Sequence, residues 1–456
     1  MSFPGYPTYK DSGVQWIRDI PEHWEVIRLK NVLKCRITDG PHTTPEFVDE
    51  GIPFLSVDGI QEGELSFEGC RHISCKDHEE YRKKAQPQRN DILMGKAAST
   101  GKIARVKTDA TFSIWSPLAL IRINSPLSSP EFYEQVLKST ASQSQIDVLC
   151  TSNTQKNISM DDIPRLAVSR PPLEEQIAIA SFLDRETAKI DALIAEQQRL
   201  IELLQEKRRS VISHAVTKGL NPNAPMKDSG VEWLGEVPEH WLVNRFKLSI
   251  ESCTNGVWGD EASNDENDVI CIRVADFDRH RLEAREPDEP TIRNVSDRDI
   301  EQRSLRNGDL LLEKSGGGDK QPVGAAVLYV GKSPSVCSNF VARMRLNKNM
   351  NPSFWRYAHY SAYSLRINTK SIKQTSGIQN LDQQQYFDEK VAYPPFEEQQ
   401  EIANFLDHEG GKTDSLVTQQ QRLIELLQER RSALISAAVT GQIDVRGLVE
   451  AEGSEQ

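Results

Sequence analysis

Four residues early in the chain are of types that bind zinc: Cys70, His72, Cys75 and His78. Structural zinc sites use such side chains, usually in pairs at regular spacings. The spacing here, Cys-x-His-x2-Cys-x2-His, is unusual for zinc. We therefore expect these four to be core or surface residues, and we predict no metal site.

Three other motifs suggest catalysis but lack part of what the chemistry needs. Residues 393–396, Tyr-Pro-Pro-Phe, superficially match the Asn/Asp-Pro-Pro-Phe/Tyr loop of amino-methyltransferases, yet Tyr393 cannot supply the amide or carboxylate that holds the target amine. Residues 315–320 are Gly-rich without the GxxxxGK[ST] spacing of a P-loop. Residues 388–390, Asp-Glu-Lys, could be half of a nuclease motif, but no convincing partner acid precedes them. We therefore predict no catalytic residues.

Two stretches are rich in basic residues and nearly free of acids. Residues 82–107 hold eight basic residues and one acid, and residues 320–381 hold nine basic residues and no acid. Tyrosine, threonine, asparagine and glutamine are interleaved with them. A single stretch of this kind is often only a solvated face, but two of them are typical of surfaces that face a polyanion.

The chain as a whole is acidic, with 55 Lys and Arg against 67 Asp and Glu and a net charge of −12. That balance alone argues against nucleic-acid binding, but over half of the excess acid lies in the last helical segment and the tail. The 456 residues are enough for about three domains. Because no run of 18 apolar residues and no N-terminal signal is present, and the seven cysteines are scattered, we expect a cytoplasmic protein without a membrane partner.

Two pairs of segments show that the chain repeats itself. Residues 10–30 and 227–247 are identical at 13 of 21 positions, and residues 171–220 and 394–443 at 30 of 50. The material between these segments barely matches. The chain is therefore a duplicated module, in which each copy joins a variable block to a near-constant segment.

The near-constant segments predict helices. A Pro-Pro pair followed by two glutamates, at 171–175 and 394–398, is a helix start. Gly410 and Gly411 are costly inside a helix. We therefore predict a short helix to about Asp184 or Asp407, a break, and then a long helix of roughly 45 Å, at about 188–217 in the first copy.

The long helices carry apolar residues at seven-residue spacing, which predicts coiled-coil packing. We expect them to pack antiparallel about a pseudo-twofold axis; the alternative is two unrelated surface helices. The predicted helix-pair core consists of Ile190, Leu193, Leu200, Leu204, Leu416, Leu423, Leu427 and Leu434.

Short apolar runs punctuated by Gly, Pro and Asn predict mixed α/β structure in the variable blocks. The predicted fold class is α+β, with two mixed α/β domains separated by two long antiparallel coiled-coil helices in an internal pseudo-twofold duplication. We place the variable blocks at 1–170 and 221–393, the helical segments at 171–220 and 394–445, and an acidic flexible tail at 446–456.

The motifs of both copies resemble those of the specificity subunit of type I restriction–modification systems. They are KDSGVxWxxxxPEHWxVxRxK, then PPLEEQxxIAxFLD, KID, QQRLIELLQEKR and AVTKGL, with residues 39–45 (DGPHTTP) and 51–55 (GIPFL) in the first block. The similarity covers essentially the whole chain, and coiled coils in general do not carry these helical motifs. Residues 255–259 of the second block lack the His-Thr-x-Pro of the first, so its contacts should differ.

The resemblance implies that each variable block is a target-recognition domain that reads one half of a split sequence in double-stranded DNA. Since the two blocks differ, the target should be asymmetric. It also implies that the helices space the two readers and bind two modification (methyltransferase) subunits, which carry S-adenosylmethionine. Restriction subunits, the ATP-dependent translocase and nuclease that uses ATP and Mg²⁺, would join that core, and no cofactor is expected on this chain. The alternative functions are a stand-alone DNA methyltransferase or nuclease, for which no motif is found, and a coiled-coil scaffold that does not bind DNA.

We expect DNA contacts in polar and basic loops, with basic residues on phosphates and polar side chains on base edges. For any one of them the alternative is a structural turn or cap. The candidates in the first block are His42, Thr43, Thr44, Lys96, Ser99, Thr100, Lys102, Thr151, Asn153, Gln155 and Lys156. Those in the second block are Asn255, Trp258, Lys314, Ser315, Lys320, Lys373, Gln374, Ser376 and Gln379.

Overall fold

The computed structural model of the chain describes residues 3–150, 156–375 and 377–449. The chain divides into two compact units, which we call the first unit (Met1–Gln197 with Arg422–Gln456) and the second unit (Gln198–Gln421). Each unit combines one mixed α/β block with part of each long helix. The boundary between the units therefore falls inside each long helix, at 197/198 and at 421/422. The predicted segments instead kept each long helix whole and separate from the α/β blocks.

The first half of the chain forms fourteen short strands and four α-helices among its described residues. The strands are β1 (Tyr9–Asp11), β2 (Asp19–Pro21), β3 (Glu25–Arg28), β4 (Thr38–Asp39), β5 (Phe47–Val48), β6 (Ile52–Leu55), β7 (Ile60–Gln61), β8 (Glu64–Leu65), β9 (Arg71–Ile73), β10 (Ile92–Gly95), β11 (Ile103–Arg105), β12 (Ser113–Ile114), β13 (Leu118–Ile121) and β14 (Ala167–Arg170). The helices are α1 (Cys75–Tyr81), α2 (Pro130–Lys138), α3 (Thr140–Leu149) and α4 (Leu173–Lys218).

The second half repeats this pattern of short strands followed by a long helix. The strands are β15 (Met226–Asp228), β16 (Glu236–Pro238), β17 (Leu242–Arg245), β18 (Ile250–Asn255), β19 (Asp260–Glu261), β20 (Asp268–Ile272), β21 (Phe277–Asp278), β22 (Glu283–Ala284), β23 (Ile292–Asn294), β24 (Leu310–Glu313), β25 (Ser315–Gly316), β26 (Ala326–Tyr329), β27 (Ser335–Cys337), β28 (Val341–Leu346), β29 (Ile372–Thr375), β30 (Ile378–Leu381) and β31 (Lys390–Tyr393). The helices are α5 (Asp297–Arg303), α6 (Pro352–Ser364), α7 (Gln383–Asp388), α8 (Phe396–Val439) and α9 (Arg446–Val449).

Both units contain the same two sheets, although their sequences barely match. In the first unit the strand orders are β12-β6-β9-β5 and β11-β10-β13-β4. In the second they are β27-β20-β23-β19 and β26-β24-β28-β18, with β22 and β21 added beyond β26. In each unit the first two strands of the first-named sheet are parallel, β12 with β6 and β27 with β20. The duplication predicted from the near-constant segments therefore extends through the variable blocks.

The long helices begin where predicted but have no break. Helix α4 begins at Leu173 and α8 at Phe396, each directly after a Pro-Pro pair. Gly410 and Gly411 lie inside α8, so the predicted interruption near Asp407 is wrong. Two interior glycines cost about 1 kcal/mol each relative to alanine, which is less than a long helix gains by burying its apolar face. None of the helices among the described residues is long and apolar enough to cross a membrane.

In the first unit, α4 runs antiparallel to the C-terminal part of α8 and the residues that follow it. Glu175 lies 3.9 Å from Arg446, and Asp191 accepts a hydrogen bond from Arg431 at 2.8 Å. Partner numbers fall as residue numbers along α4 rise, as antiparallel packing requires.

The second unit shows the same arrangement of α4 and α8. Arg208 pairs with Asp414, while Ile212 shares a core cluster with Ile402 and Leu406. The predicted antiparallel orientation is therefore present in each unit taken by itself.

The predicted helix-pair core is only partly buried. Ile190, Leu427 and Leu434 are buried, and Leu204 is half-buried. The other four predicted core leucines are each between 39% and 45% exposed, namely Leu193, Leu200, Leu416 and Leu423. Including these four was wrong, because one helix partner covers only a narrow stripe of an α-helix.

The near-constant segments of each copy pack on one another. Trp24 is fully buried, and its Nε1 donates to Glu175 in the first turn of α4 at 3.0 Å. Tyr6 donates to the same carboxylate at 3.0 Å. In the second unit Trp241 is also fully buried and donates to Glu398 at 3.1 Å. The Pro-Glu-His-Trp motif and the Glu-Glu-Gln motif are therefore two halves of one contact, which holds the start of each long helix on its block.

Candidate functional site

A buried carboxylate gathers three cationic or titratable side chains in the first unit. Asp39 ends β4 and is 5% exposed; Lys84 Nζ lies 2.5 Å from it, Lys96 Nζ 2.9 Å and His42 Nε2 3.1 Å. Gly40 follows, where a Cβ atom would lie 1.9 Å from a backbone oxygen of β12, so only glycine fits. The chain turns sharply here against β12, and His42 is carried to the surface.

The pKa of Asp39 reflects these neighbours. Burial alone would raise it, but hydrogen bonds and charges from Lys84 and Lys96 together lower the pKa below its ordinary value. Asp39 is therefore ionised at neutral pH, and it holds Lys96 in place.

The structure brings the candidate loops of the first unit together. The backbone oxygen of Lys96 accepts a hydrogen bond from Ile158 N at 2.9 Å, and Thr100 Oγ1 donates to Lys156 O at 2.5 Å. His42 and Lys96 both contact Asp39, and Thr100 contacts Lys156. The loops at 42–44 and 96–102 and residue 156 therefore lie on one surface. Thr151, Asn153 and Gln155 lie outside the described residues.

Exposure separates the residues of this surface into supports and possible contacts. The Lys96 side chain is 14% exposed and engaged by Asp39, so it supports the loop. Ser99 and Thr100 are half-buried. The exposed candidates are His42, Thr43, Thr44, Lys102 and Lys156.

We call the place where the turn at Gly40 meets the chain at Lys96 a corner. The second unit has a matching corner at Gly256 and Lys314, with different side chains around it. Lys314 directly follows β24, as Lys96 directly follows β10. The Lys314 amide donates to Phe340 O at 2.9 Å, and the Lys96 amide donates to Pro117 O at 2.8 Å. At Gly256 a Cβ atom would lie 2.1 Å from backbone oxygens, so this turn also requires glycine. The two corners therefore match in backbone, while the side chains around them differ.

Two of the second unit's candidates are held by polar and aromatic contacts. Asn255 Oδ1 accepts a hydrogen bond from Gln383 at 3.3 Å, and its backbone oxygen accepts one from Arg303. The Trp258 ring is 38% exposed, and the Arg293 guanidinium lies 4.1 Å from its centroid. A cation stacked on an exposed indole gives this corner a flat, positively charged surface.

The other candidate loops of the second unit form a small three-stranded sheet of order β25-β30-β29. Ser315 donates to Asn380 at 2.6 Å within it. Gln379 is 6% exposed and accepts from a backbone amide, which is a structural role. The exposed candidates are Lys320, Lys373 and Gln374, and Ser376 lies outside the described residues.

The basic stretch at 82–107 carries less free charge than its sequence suggests. Seven of its eight basic side chains pair with a carboxylate, and Lys102 is the exception among the described ion pairs. The acids come from elsewhere in the sequence, as in the pairs of Arg89 with Asp109 and Lys107 with Glu64. The predicted polyanion-facing surface is therefore reduced here to single side chains.

The stretch at 320–381 keeps more of its charge. Arg343 and Arg356 are each 4% exposed and belong to the interior, and the half-buried Arg345 pairs with Asp309. Five of its exposed cations have no carboxylate partner in the described parts of the chain: Lys320, Lys332, Lys348, Arg366 and Lys370. This stretch therefore keeps more unpaired exposed cations than the stretch at 82–107 does.

Sequence reasoning missed Asp39, Lys84 and Arg293 as parts of these sites. The signal for Asp39 was its place directly before Gly40 in the DGPHTTP motif. The zinc-type residues do not converge: His78 is buried and lies 2.8 Å from Ser113 Oγ. No group of three or more His, Cys, Asp or Glu in the described residues is arranged to hold a metal ion.

Residues 21–203 and 296–426 match the family described as type I restriction modification DNA specificity domain. The chain belongs to this family. The two matched segments cover well over half of the sequence and reach into both units. The resemblance seen in the repeated motifs is thereby confirmed, and the chain is a type I restriction–modification specificity subunit.

Relatives of known name are similar over nearly the full length. The StySPI specificity subunit of Salmonella potsdam is 22% identical, over 88% of this chain and 84% of its own. The MjaVIII specificity subunit of Methanocaldococcus jannaschii is 23% identical, over 94% and 95%. The EcoKI specificity subunit of Escherichia coli is 20% identical, over 94% and 91%.

A solved structure from work on complex assembly and conformational transition of the type I R-M system shares the fold. Its chain superposes with a TM-score of 0.62 at 17% identity, covering 93% of this chain and 99% of the other. The predicted architecture of two α/β domains and two long helices is therefore that of this family.

Proposed function

We propose that each α/β block of this specificity subunit reads one half of an asymmetric, bipartite sequence in double-stranded DNA. The proposed readers are residues 1–170 and 221–393, and the proposed spacers are the helical segments 171–220 and 394–445, with 446–456 as a tail. The chain contributes recognition and no catalytic residue, and it acts in the cytoplasm.

The observation that carries this proposal is the pair of matching corners at Lys96 and Lys314. The same backbone arrangement ends β10 and β24, with a glycine that admits no Cβ beside it. One corner presents His42 and two threonines, and the other presents Asn255 and Trp258. Equivalent positions with different side chains are what two readers of different half-sites require.

The exposed leucines on the long helices support docking of partner subunits. Leu193, Leu423 and Leu426 are over 40% exposed in the first unit, as are Leu203 and Leu416 in the second. Apolar rows of this kind are typical of protein interfaces. We propose that two modification (methyltransferase) subunits bind them and carry S-adenosylmethionine. Restriction subunits using ATP and Mg²⁺, as translocase and nuclease, would complete the complex.

Methylome sequencing of cells that carry the whole system, with and without this chain, tests the proposal. We expect a two-part methylated motif that disappears when the chain is removed. A motif that persists without the chain would refute the reading role. Binding of S-adenosylmethionine to the isolated chain, measured by calorimetry, would instead favour a methyltransferase.

A further inference from the structure

A cavity of about 310 Å³ opens in the second unit where α4, α6 and β26 meet. Four cationic side chains line it: Arg209 on α4, Arg279 in the turn after β21, Lys320 in the Gly-rich loop and Arg366 just after α6. Tyr360 and Tyr363 of α6 form part of its wall. No carboxylate is among the described residues that line the cavity.

The positive charge of the cavity is only partly balanced. Arg279 Nη2 donates to Glu313 at 2.9 Å, and Glu313 is 3% exposed, so this pair is internally neutral. Arg209, Lys320 and Arg366 pair with no carboxylate in the parts of the chain that the structure describes. Arg366 is held by the backbone, since its Nη2 donates to Lys320 O at 3.2 Å. Three cations therefore face the cavity without a counter-charge.

A buried donor in this region also lacks a protein acceptor. Arg279 Nη1 is buried and makes no hydrogen bond to the described residues. Burial raises the pKa of Tyr363, and a hydrogen bond to its hydroxyl from the Arg279 side chain opposes this rise, while the hydroxyl itself donates to Pro322 O at 2.9 Å. The guanidinium is therefore already engaged by Glu313 and Tyr363, and only its Nη1 lacks an acceptor. Buried guanidinium N–H groups are normally satisfied, so an unused one beside a cationic cavity indicates a ligand that accepts hydrogen bonds.

The arginine that α4 contributes to the cavity has no cationic counterpart in the second long helix. The residue that corresponds to Arg209 in the repeated helical segment is Ser432. Ser432 lines a cavity of the first unit together with Glu425, Glu429 and Thr140. The shared fold therefore does not by itself produce a cationic cavity at this position.

We propose that this cavity binds a phosphate group, held by Arg209, Lys320 and Arg366 with Arg279 Nη1 as a buried donor. Guanidinium groups match phosphate oxygens in geometry and keep their charge at all relevant pH values. The volume is at the lower end for small-molecule sites, which suits a nucleoside monophosphate with its base against the tyrosine wall. The phosphate could belong to such a free molecule or to the DNA backbone, and the second source rests on the proposed function.

Calorimetric titration of the full chain with inorganic phosphate, adenosine monophosphate and adenosine tests the site. We expect one saturable site for both phosphates and none for adenosine. Arg209→Ser, which copies the natural residue of the first unit, and Arg366→Asn should each weaken binding about tenfold. Asparagine suits position 366 because the backbone there is left-handed, with φ of 60°. Lys348→Gln, an exposed cation outside the cavity, is the matched control and should leave the affinity unchanged.

The assembled complex then distinguishes the two sources. Duplex binding is measured by fluorescence anisotropy at constant ionic strength, with and without saturating adenosine monophosphate. Competition would assign the cavity to a backbone phosphate, and phosphate binding without competition would assign it to a free organic phosphate. If Arg209→Ser matches Lys348→Gln in both assays, the proposal is overturned. If phosphate binds but no duplex does, the proposed function fails while the cavity assignment stands.

Discussion

Lys96 and Asp39 form an ion pair of 2.9 Å in which a nearly buried carboxylate holds a lysine at the edge of the first unit. Burial raises the pKa of Asp39, but Lys84 and Lys96 lower it by more, so the pKa lies below its ordinary value. A group with a lowered folded pKa stabilises the protein above its unfolded pKa of about 3.9, and this contribution is lost as pH falls through the folded pKa.

Asp39→Asn should therefore lower the free energy of unfolding by about 1–3 kcal/mol at pH 7, because two ammonium groups lose the negative charge that they share. The difference from the wild type should shrink in acid, below about pH 4. Urea unfolding at several pH values measures both effects. Asp161→Asn is the control, since its pair with Arg36 spans 3.9 Å between exposed side chains. Equal loss at pH 3 and pH 7 would contradict the ionised role of Asp39.

Gln399 of the near-constant segment binds Asn351, the N-cap residue of α6 in the variable block. Its Oε1 accepts from the backbone amide of Asn351 at 2.9 Å, its Nε2 donates to Pro394 O at 2.9 Å, and it is 1% exposed. Gln399→Ala should cost about 1–3 kcal/mol, because a buried amide loses its acceptor. Gln198→Ala, at an exposed site on α4, should change stability by less than about 0.5 kcal/mol. Chemical unfolding of both variants checks the difference, and equal stabilities would show that the bond contributes little.

The near-constant segments were predictable because their signals are local. A Pro-Pro pair followed by glutamates specifies a helix start wherever it occurs, and both helices begin there. The break at Gly410 was wrong because the cost of two glycines was not weighed against the packing of the entire helix. Helix propensity is a weak prior that tertiary contacts override.

The corners at Lys96 and Lys314 were only partly predictable, because they depend on contacts between distant residues. The run at 82–107 looks cationic in the sequence, but its lysines and arginines meet acids as distant as Asp39 and Glu134. Lys96 was identified as a candidate, whereas the carboxylate that positions it was not. Which loop residues touch DNA bases stays a prediction.

Gly411 offers a direct test of the continuous helix. It is exposed, and a Cβ atom there would meet nothing within 4 Å. Gly411→Ala should therefore raise the free energy of unfolding by about 0.5–1 kcal/mol, since alanine loses less backbone entropy in a helix. Thermal and urea unfolding measure it. Gly256→Ala is the opposite control, because its Cβ would clash at 2.1 Å with backbone and should destabilise the second unit. A loss of stability in Gly411→Ala would favour an interrupted helix.

Lys96→Gln and Lys314→Gln should each affect one half of the DNA target. The two lysines directly follow corresponding strands, β10 and β24, and each lies in a different unit. In the assembled complex we expect Lys96→Gln to reduce methylation set by the first block and leave the other half-site unchanged, with the reverse for Lys314→Gln. Methylome sequencing of a library of degenerate sites measures this. Lys107→Gln, which removes an exposed lysine paired with Glu64, is the control. Equal effects of both variants on both halves would contradict separate readers.

If the helices act as the proposed spacer, a change in their length should change the gap between the half-sites and leave the recognised bases unchanged. Inserting one heptad in both 197–206 and 420–429, the corresponding segments of α4 and α8, adds about 10 Å of helix. Since B-DNA rises about 3.4 Å per base pair, the recognised half-sites should move apart by about three base pairs. The methylated motif in cells carrying the variant reports both the bases and the gap. Gln198→Ala, which leaves the length unchanged, should keep the original motif. Altered bases with an unaltered gap would mean that the helices contribute to base reading instead of setting the distance.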